Sequence, residues 1–304
     1  MNNPAILAMT VLGGVLSAAL SLLHMFSYPG LVFISYLATL PLFLVGLGVG
    51  LWPLYGAALI ATLFVLFIEG PVFAAEFFVF SALGPAFLIN RALLNRKKSS
   101  KEVVWYPSSF LLRDLTLASG VIMLLALGVY LYMMQGNDVH ALVKTLLETF
   151  DPQGHLKDAE PVLIKIFPFL PGFFAFSWAI MILINATLAQ GLLIRFKRNL
   201  RPSPTLENLE VPKSFLILLG LSIFLSWVGV GSLELLGKSA TCVLILPFFF
   251  VGLGVVHRLI QKTPFATVGL TIFYIVLFVF LWPALFVILL GILKPWIEKK
   301  ISPN

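Results

Sequence analysis

The sequence predicts an all-α fold, a polytopic transmembrane helical bundle with eight full spans and a C-terminal kinked or re-entrant segment. Three observations carry that expectation. From Pro29 to Leu94 the only charged side chains are Glu69, Glu76 and Arg91, and a hydrocarbon core about 30 Å thick needs about 20 helical residues per crossing, so this stretch holds three crossings. The 304 residues are 60% hydrophobic and 11% charged, whereas soluble domains carry about 25% charged residues. The basic residues gather in short segments beside apolar runs, where they orient helices against the bilayer. The net charge of +7 therefore points to the lipid bilayer as the partner and not to nucleic acid.

A single integral membrane domain, 1–304, is expected, beginning with four helices over 1–94. The run Ala5 to Phe26 is too long for the core of a cleaved signal peptide and reads as the first membrane helix. Thr10, Gly14, Ser17, Ala18 and Ser21 share one side of it, and small residues let another backbone approach closely in lipid. Gly14 and Ala18 are accordingly candidates for helix packing inside the protein or for docking a partner. Gly46, Gly48, Gly50 and Pro53, then Gly70 and Pro71, punctuate the next stretch. Spans are expected at 31–50, 52–69 and 72–94.

The basic loop 95–108 follows, with Arg96, Lys97, Lys98 and Lys101 against Glu102. The positive-inside bias assigns it to the cytoplasm, and four crossings return the amino terminus to the same side. Region 109–194 holds two helices around an external segment, 136–165. Its first helix carries the polar candidates Arg113 and Asp114. Adjacent helical residues diverge by about 100°, so each is expected to find its own partner rather than to form a tight mutual pair. The alternative is snorkelling at the headgroups.

Within 136–165, Val139, Leu142, Val143, Leu146, Leu147 and Phe150 recur at helical spacing and predict an amphipathic helix. It either lies flat on the outer leaflet or caps a cavity between spans. Neither His140 nor His155 has a partner at ligand spacing, so no metal is expected. The sixth span, 167–194, contains Asn185 and Gln190, which bond across helices or line a transport path. A second basic loop, 195–213, contains Arg195, Lys197, Arg198 and Arg201, then Pro202, Pro204, Glu207, Glu210, Pro212 and Lys213, and is too proline-rich for continuous helix.

The C-terminal helices, 214–304, begin with spans at 214–230 and 240–259, joined by an outer turn holding Glu234 and Lys238. Gly237-Lys238-Ser239 ends like a nucleotide-binding loop, but five residues separate Gly231 from Gly237 where four are needed, and both neighbours are apolar spans. From Ala266 to Leu293 the chain is apolar and interrupted at Trp282-Pro283. One kinked helix places Lys294, Lys299 and Lys300 outside, and two short helices folded back keep them inside. Cys242 is the single cysteine, which excludes an internal disulfide.

No intramembrane aspartate pair, serine with histidine, or His-Glu-x-x-His occurs, so neither an enzyme nor a cofactor is expected. His24, at the outer end of the first span, has no carboxylate near it in sequence and reads as a satisfied interfacial histidine. Glu69 and Glu76 are the solute- or proton-binding candidates: seven residues apart across Gly70-Pro71, they could face one outward cavity. A carboxylate at lipid depth is costly unless paired, solvated or protonated. The alternative is a wet turn at headgroup level.

The segments PLFLVGLGVG (Pro41 to Gly50), RPSPTLENLEVP (Arg201 to Pro212), FFFVGLGVVH (Phe248 to His257) and LGILKPW (Leu290 to Trp296) resemble the YybS-like family of bacterial membrane proteins, a family of unknown function. That family is in turn distantly similar to the substrate-binding components of energy-coupling-factor transporters. The resemblance implies a bacterial cytoplasmic membrane location, an externally bound small nutrient, and a transmembrane coupling subunit with ATPases as partners. It also implies docking through small residues four apart on the first helix, a spacing that Gly14 and Ala18 match. Those components usually have six spans, and this chain departs from them with at least eight. The function expected is a small-solute binding or transport component, with a membrane scaffold or assembly factor acting through its basic loops as the alternative.

Overall fold

A computed structural model describes residues 3–26, 28–97, 103–134, 139–150, 157–204, 209–280 and 282–301. Lys98, Lys101, Glu102, Gly136, Asp138, Asp151, His155 and Glu207 lie outside the described residues, as do the side chains of Lys299 and Lys300. The described chain is an all-α polytopic bundle with one short β-hairpin, and it divides into two compact units, 1–114 with 178–204 and 115–177 with 205–304.

In the first unit, α1 (Asn3–Ser21) continues as a 3-10 turn, Leu22–Phe26. Next come α2 (Pro29–Ser35), α3 (Leu40–Gly48) and α4 (Leu51–Glu69). Then α5 (Pro71–Phe77) passes through a π-helical turn, Phe78–Ala82, into α6 (Leu83–Leu93). Gly50 and Gly70 have φ of 130° and 90°, conformations that a Cβ would strain, so glycine is what permits the sharp reversals into α4 and α5. Proline at the start of α5 sacrifices an N–H that the first helical turn leaves unpaired anyway. Strands β1 (Asn95–Lys97) and β2 (Val103–Trp105) pair antiparallel before α7 (Ser108–Met133) begins.

The second span differs from the continuous helix expected at 31–50. It is broken into α2 and α3 by turns at Tyr36–Thr39. Leu40 N–H bonds the Leu37 carbonyl at 2.9 Å, which leaves the Tyr36 carbonyl without a helical donor. Asn185 Nδ2 supplies one at 2.8 Å, and Ser17 Oγ donates to the Ala38 carbonyl at 2.6 Å. Irregular backbone at membrane depth persists only where protein groups satisfy it.

In the second unit, α8 (Val139–Phe150) buries Val143 on its apolar side. A 3-10 turn, α9 (Glu160–Ile166) and a second 3-10 turn lead into α10 (Leu170–Arg195). The division between the units falls within α7 and α10. Helix α11 (Lys213–Val228) has 16 residues, about 24 Å at 1.5 Å per residue, and is short for a full crossing. It pairs with α12 (Ser232–Gln261), where Thr241 Oγ1 donates to Ser222 Oγ at 3.0 Å. Glu234 and Lys238, expected in a turn, instead form an i,i+4 ion pair within α12. The helix starts directly after Gly231, whose φ of 61° turns the chain, and the pair offsets its own charge. Gly237-Lys238-Ser239 is therefore helical, with Gly237 against the α11 backbone at Leu225 and Ser226.

Helices α13 (Ala266–Phe280) and α14 (Pro283–Ile301) differ in direction by 117°. Gly252 of α12 lies against the Val287 backbone and Gly291 of α14 against the Phe248 backbone, so α14 runs antiparallel to α12. Lys294 is 6% exposed and donates to the Leu209 carbonyl at 2.7 Å.

Seven helices among the described residues are long and apolar enough to cross a membrane, or eight if α13 and α14 form one span. Trp52, Phe67, Trp227 and Phe278 are each at least 85% exposed. Apolar surface on this scale is stable in hydrocarbon and not in water, and lipid contacts it.

Candidate functional site

Glu69 closes α4, and the Gly70-Pro71 reversal starts α5 immediately, so Glu76 returns one and a half turns later beside it. Both line a cavity of about 310 Å³ in the first unit, with His24, Phe73, Phe77 and Phe80. Ser35 and Ala38, at the break between α2 and α3, complete its wall with Ser21, Val65 and Ser81. The volume falls at the lower end of the range of small-molecule pockets.

The sequence reading missed His24 as a member of this group. Its Nε2 lies 3.1 Å from Glu69 Oε1, and its Nδ1 lies 2.6 Å from the Ser21 carbonyl. The ring stands 6.2 Å from that of Phe73. Glu69's side chain is 7% exposed and His24's is 44% exposed, which sets the imidazole at the mouth and the carboxylate behind it. Forty-five positions separate the two in sequence; the only available signal was that both end apolar spans on the same expected side.

The π-helical turn contributes a second special feature. Phe80, within it, accepts a hydrogen bond from Trp178 Nε1 at 2.7 Å, and Trp178 packs on Gly84. A π turn widens the helix and releases carbonyls, and such turns are frequent at functional sites.

The remaining polar candidates lie elsewhere. Asp114, 4% exposed, accepts from Arg113 Nε and Nη2 on Oδ1 at 3.0 and 2.8 Å. Its Oδ2 accepts from Tyr106 Oη at 2.8 Å and lies 3.5 Å from Arg91 Nε. The expectation that Arg113 and Asp114 would not pair is thereby corrected. The arginine stem is long enough to wrap past the 100° divergence, and a buried carboxylate gains most from the nearest fixed cation. Burial, then the bond to Asp114 and its charge, raise the Tyr106 phenol above its usual value.

Gln190 Nε2 donates to the Arg201 carbonyl at 2.8 Å. The Arg201 guanidinium bonds the carbonyls of Ala92 and Tyr106 at 2.9 and 2.7 Å, and burial lowers its pKa. This network ties the loop after α10 to the end of α6, at the far end of the α5–α6 span from Glu76. Asn185 bonds the broken span, as described. Gly14 lies against the Ala57 carbonyl and Ile60 of α4, and Ala18 is fully buried. The small-residue face of α1 is thus covered inside the first unit, by α4 at Gly14 and by the break between α2 and α3 at Ser17.

A larger hollow of about 640 Å³ lies among α1, α3 and α10, walled by leucines, Phe196 and Met9 with Arg198 as its one charged residue. Its lining is apolar apart from Arg198, and the acidic cavity is the better candidate site. Among the described residues no group of three His, Cys, Asp or Glu side chains could hold a metal ion.

No curated protein and no solved structure matches this chain. A family model described as "Predicted membrane protein (DUF2232)" matches residues 15–293. Nearly the whole chain is covered by that match, and the protein belongs to the DUF2232 family of membrane proteins.

Proposed function

We propose that the protein is a membrane-embedded binding component, with no catalytic role of its own, for a small cationic solute that it hands on for transport. The observation that carries this reading is the cavity in which Glu69, Glu76 and His24 meet a wall of phenylalanines beside a broken span. Carboxylates supply the charge, and an aromatic ring among Phe73, Phe77 and Phe80 of the same lining would add cation–π attraction of about 0.5–2 kcal/mol where its face meets a desolvated cation. Broken helices mark solute sites in transporters because they bring backbone polar groups to membrane depth.

By the positive-inside bias, the basic residues around 95–108 and 195–213 are cytoplasmic, which makes the amino terminus cytoplasmic and opens the acidic cavity outward. The setting is a bacterial cytoplasmic membrane. Energy would come from a coupling subunit and ATPases, as the likeness to energy-coupling-factor components suggests. Because Gly14 and Ala18 are buried inside the first unit, such a subunit would dock on another face.

The test is binding of organic cations to the full-length protein in lipid nanodiscs, measured by calorimetry. A charge-assisted contact contributes about 1.5–3 kcal/mol, so Glu69→Gln and Glu76→Gln should each weaken binding at least about tenfold. A bound cation indifferent to both substitutions would refute the site. Retention of an unrelated protein by the loop at Arg195 to Lys213, with no cation bound, would favour the scaffold reading.

A further inference from the structure

We infer that this cavity exchanges one proton for each cation it binds, through the His24–Glu69 pair; the inference rests on the cation-binding reading above. The Ser21 carbonyl, 2.6 Å from His24 Nδ1, has no proton to give, so Nδ1 carries the hydrogen of that bond. In a neutral imidazole Nε2 is then a bare lone pair. It lies 3.1 Å from Glu69 Oε1, and two lone pairs at that distance repel. The contact is a bond only when a proton sits between them, either as imidazolium with carboxylate or as neutral imidazole with carboxylic acid. The pair with its shared proton carries no net charge either way.

A cation entering the cavity needs Glu69 as a carboxylate facing it, and the shared proton occupies that place. The balanced exchange is imidazolium–carboxylate plus cation giving neutral imidazole, carboxylate with bound cation, and one free proton. Nδ1 keeps its hydrogen on the Ser21 carbonyl throughout. His24's 44% exposure at the mouth gives that proton a route out. Among the described residues, the titratable groups lining the cavity with His24 are Glu69 on α4 and Glu76 on α5; α1 and α2 contribute the serine hydroxyls of Ser21 and Ser35 to the same wall. Those two hydroxyls donate to the Ala18 and Val32 carbonyls at 2.8 and 2.7 Å, so neither replaces the proton on Nε2.

The experiment uses tetramethylammonium, which has no exchangeable proton, and the full chain in nanodiscs. Its binding heat is measured in phosphate and in Tris, whose ionisation enthalpies differ, so that the difference between the two counts protons released. One proton per cation is expected wherever the shared proton is in place, with affinity weakening about tenfold for each unit by which the pH is lowered over that range. His24→Gln keeps a donor for Glu69 without an ionisable proton and should bind the cation with the same heat in both buffers. Binding in the wild type with no buffer dependence, or an unchanged proton count in His24→Gln, overturns the exchange and leaves the binding site standing. Absence of binding at every pH removes the site itself.

Discussion

Removing the donors that satisfy the broken second span should loosen the first unit far more than removing similar hydroxyls elsewhere in it. Asn185 is 1% exposed and Nδ2 donates to the Tyr36 carbonyl at 2.8 Å, while Ser17, fully buried, donates to the Ala38 carbonyl at 2.6 Å. Side-chain bonds between membrane helices average only about 0.6 kcal/mol, because the separated helices find other partners. An orphaned buried carbonyl costs more, about 1–3 kcal/mol. Leu40 N–H already serves the Leu37 carbonyl, so the orphan cost governs here. Asn185→Leu preserves volume and should cost about 1–2 kcal/mol; Ser17→Ala should cost a similar amount. Thr62 is the control, since its hydroxyl at 2.8 Å adds to an Ala58 carbonyl within the α4 ladder, and Thr62→Ala should cost under about 0.5 kcal/mol. Equilibrium unfolding in mixed detergent micelles of increasing dodecyl sulfate fraction gives the three values. Equal losses in Asn185→Leu and Thr62→Ala would refute the claim that the break is held by these donors. Because Ser35 and Ala38 wall the cavity, the Asn185 and Ser17 variants should also weaken cation binding.

Three further outcomes follow from packing and charge. Asp114→Asn leaves Arg113 and Arg91 facing a neutral amide, and with both arginines partly solvated it should cost about 1–3 kcal/mol, read in the same micelle titration. Gly252→Val should separate α12 from α14 and markedly lower the melting temperature, because its Cβ meets the Val287 backbone. Gly120→Ala, whose Cβ meets nothing within 4 Å, should be neutral or stabilising by up to about 1 kcal/mol.

What the amino-acid sequence determined by itself is the solvent and the rough course of the chain. Runs such as Leu51 to Ile68 leave no choice but hydrocarbon, since backbone polar groups there must be satisfied within helices. Gly50 and Gly70-Pro71 announced their reversals because positive φ and a missing N–H are properties of single residues. Glu69 and Glu76 stood out for the same local reason: charge is expensive in an apolar run.

Only the tertiary structure decided the rest. Pro41, at the start of α3, has no N–H for the Leu37 carbonyl and favours a break before it, but the Tyr36 and Ala38 carbonyls are satisfied only because Asn185 and Ser17 arrive from other helices. The Glu234–Lys238 pair lets α12 extend through charges that read as a turn, and the wrapping of Arg113 onto Asp114 depends on Tyr106 closing the other side. His24 and Glu69 meet because α1 and α4 pack along glycine and alanine faces. Apart from the i,i+4 pair Glu234–Lys238, which is local to one helix face, these are contacts a few ångströms long between residues distant or diverging along the chain, and such energies appear only once packing has fixed the separation.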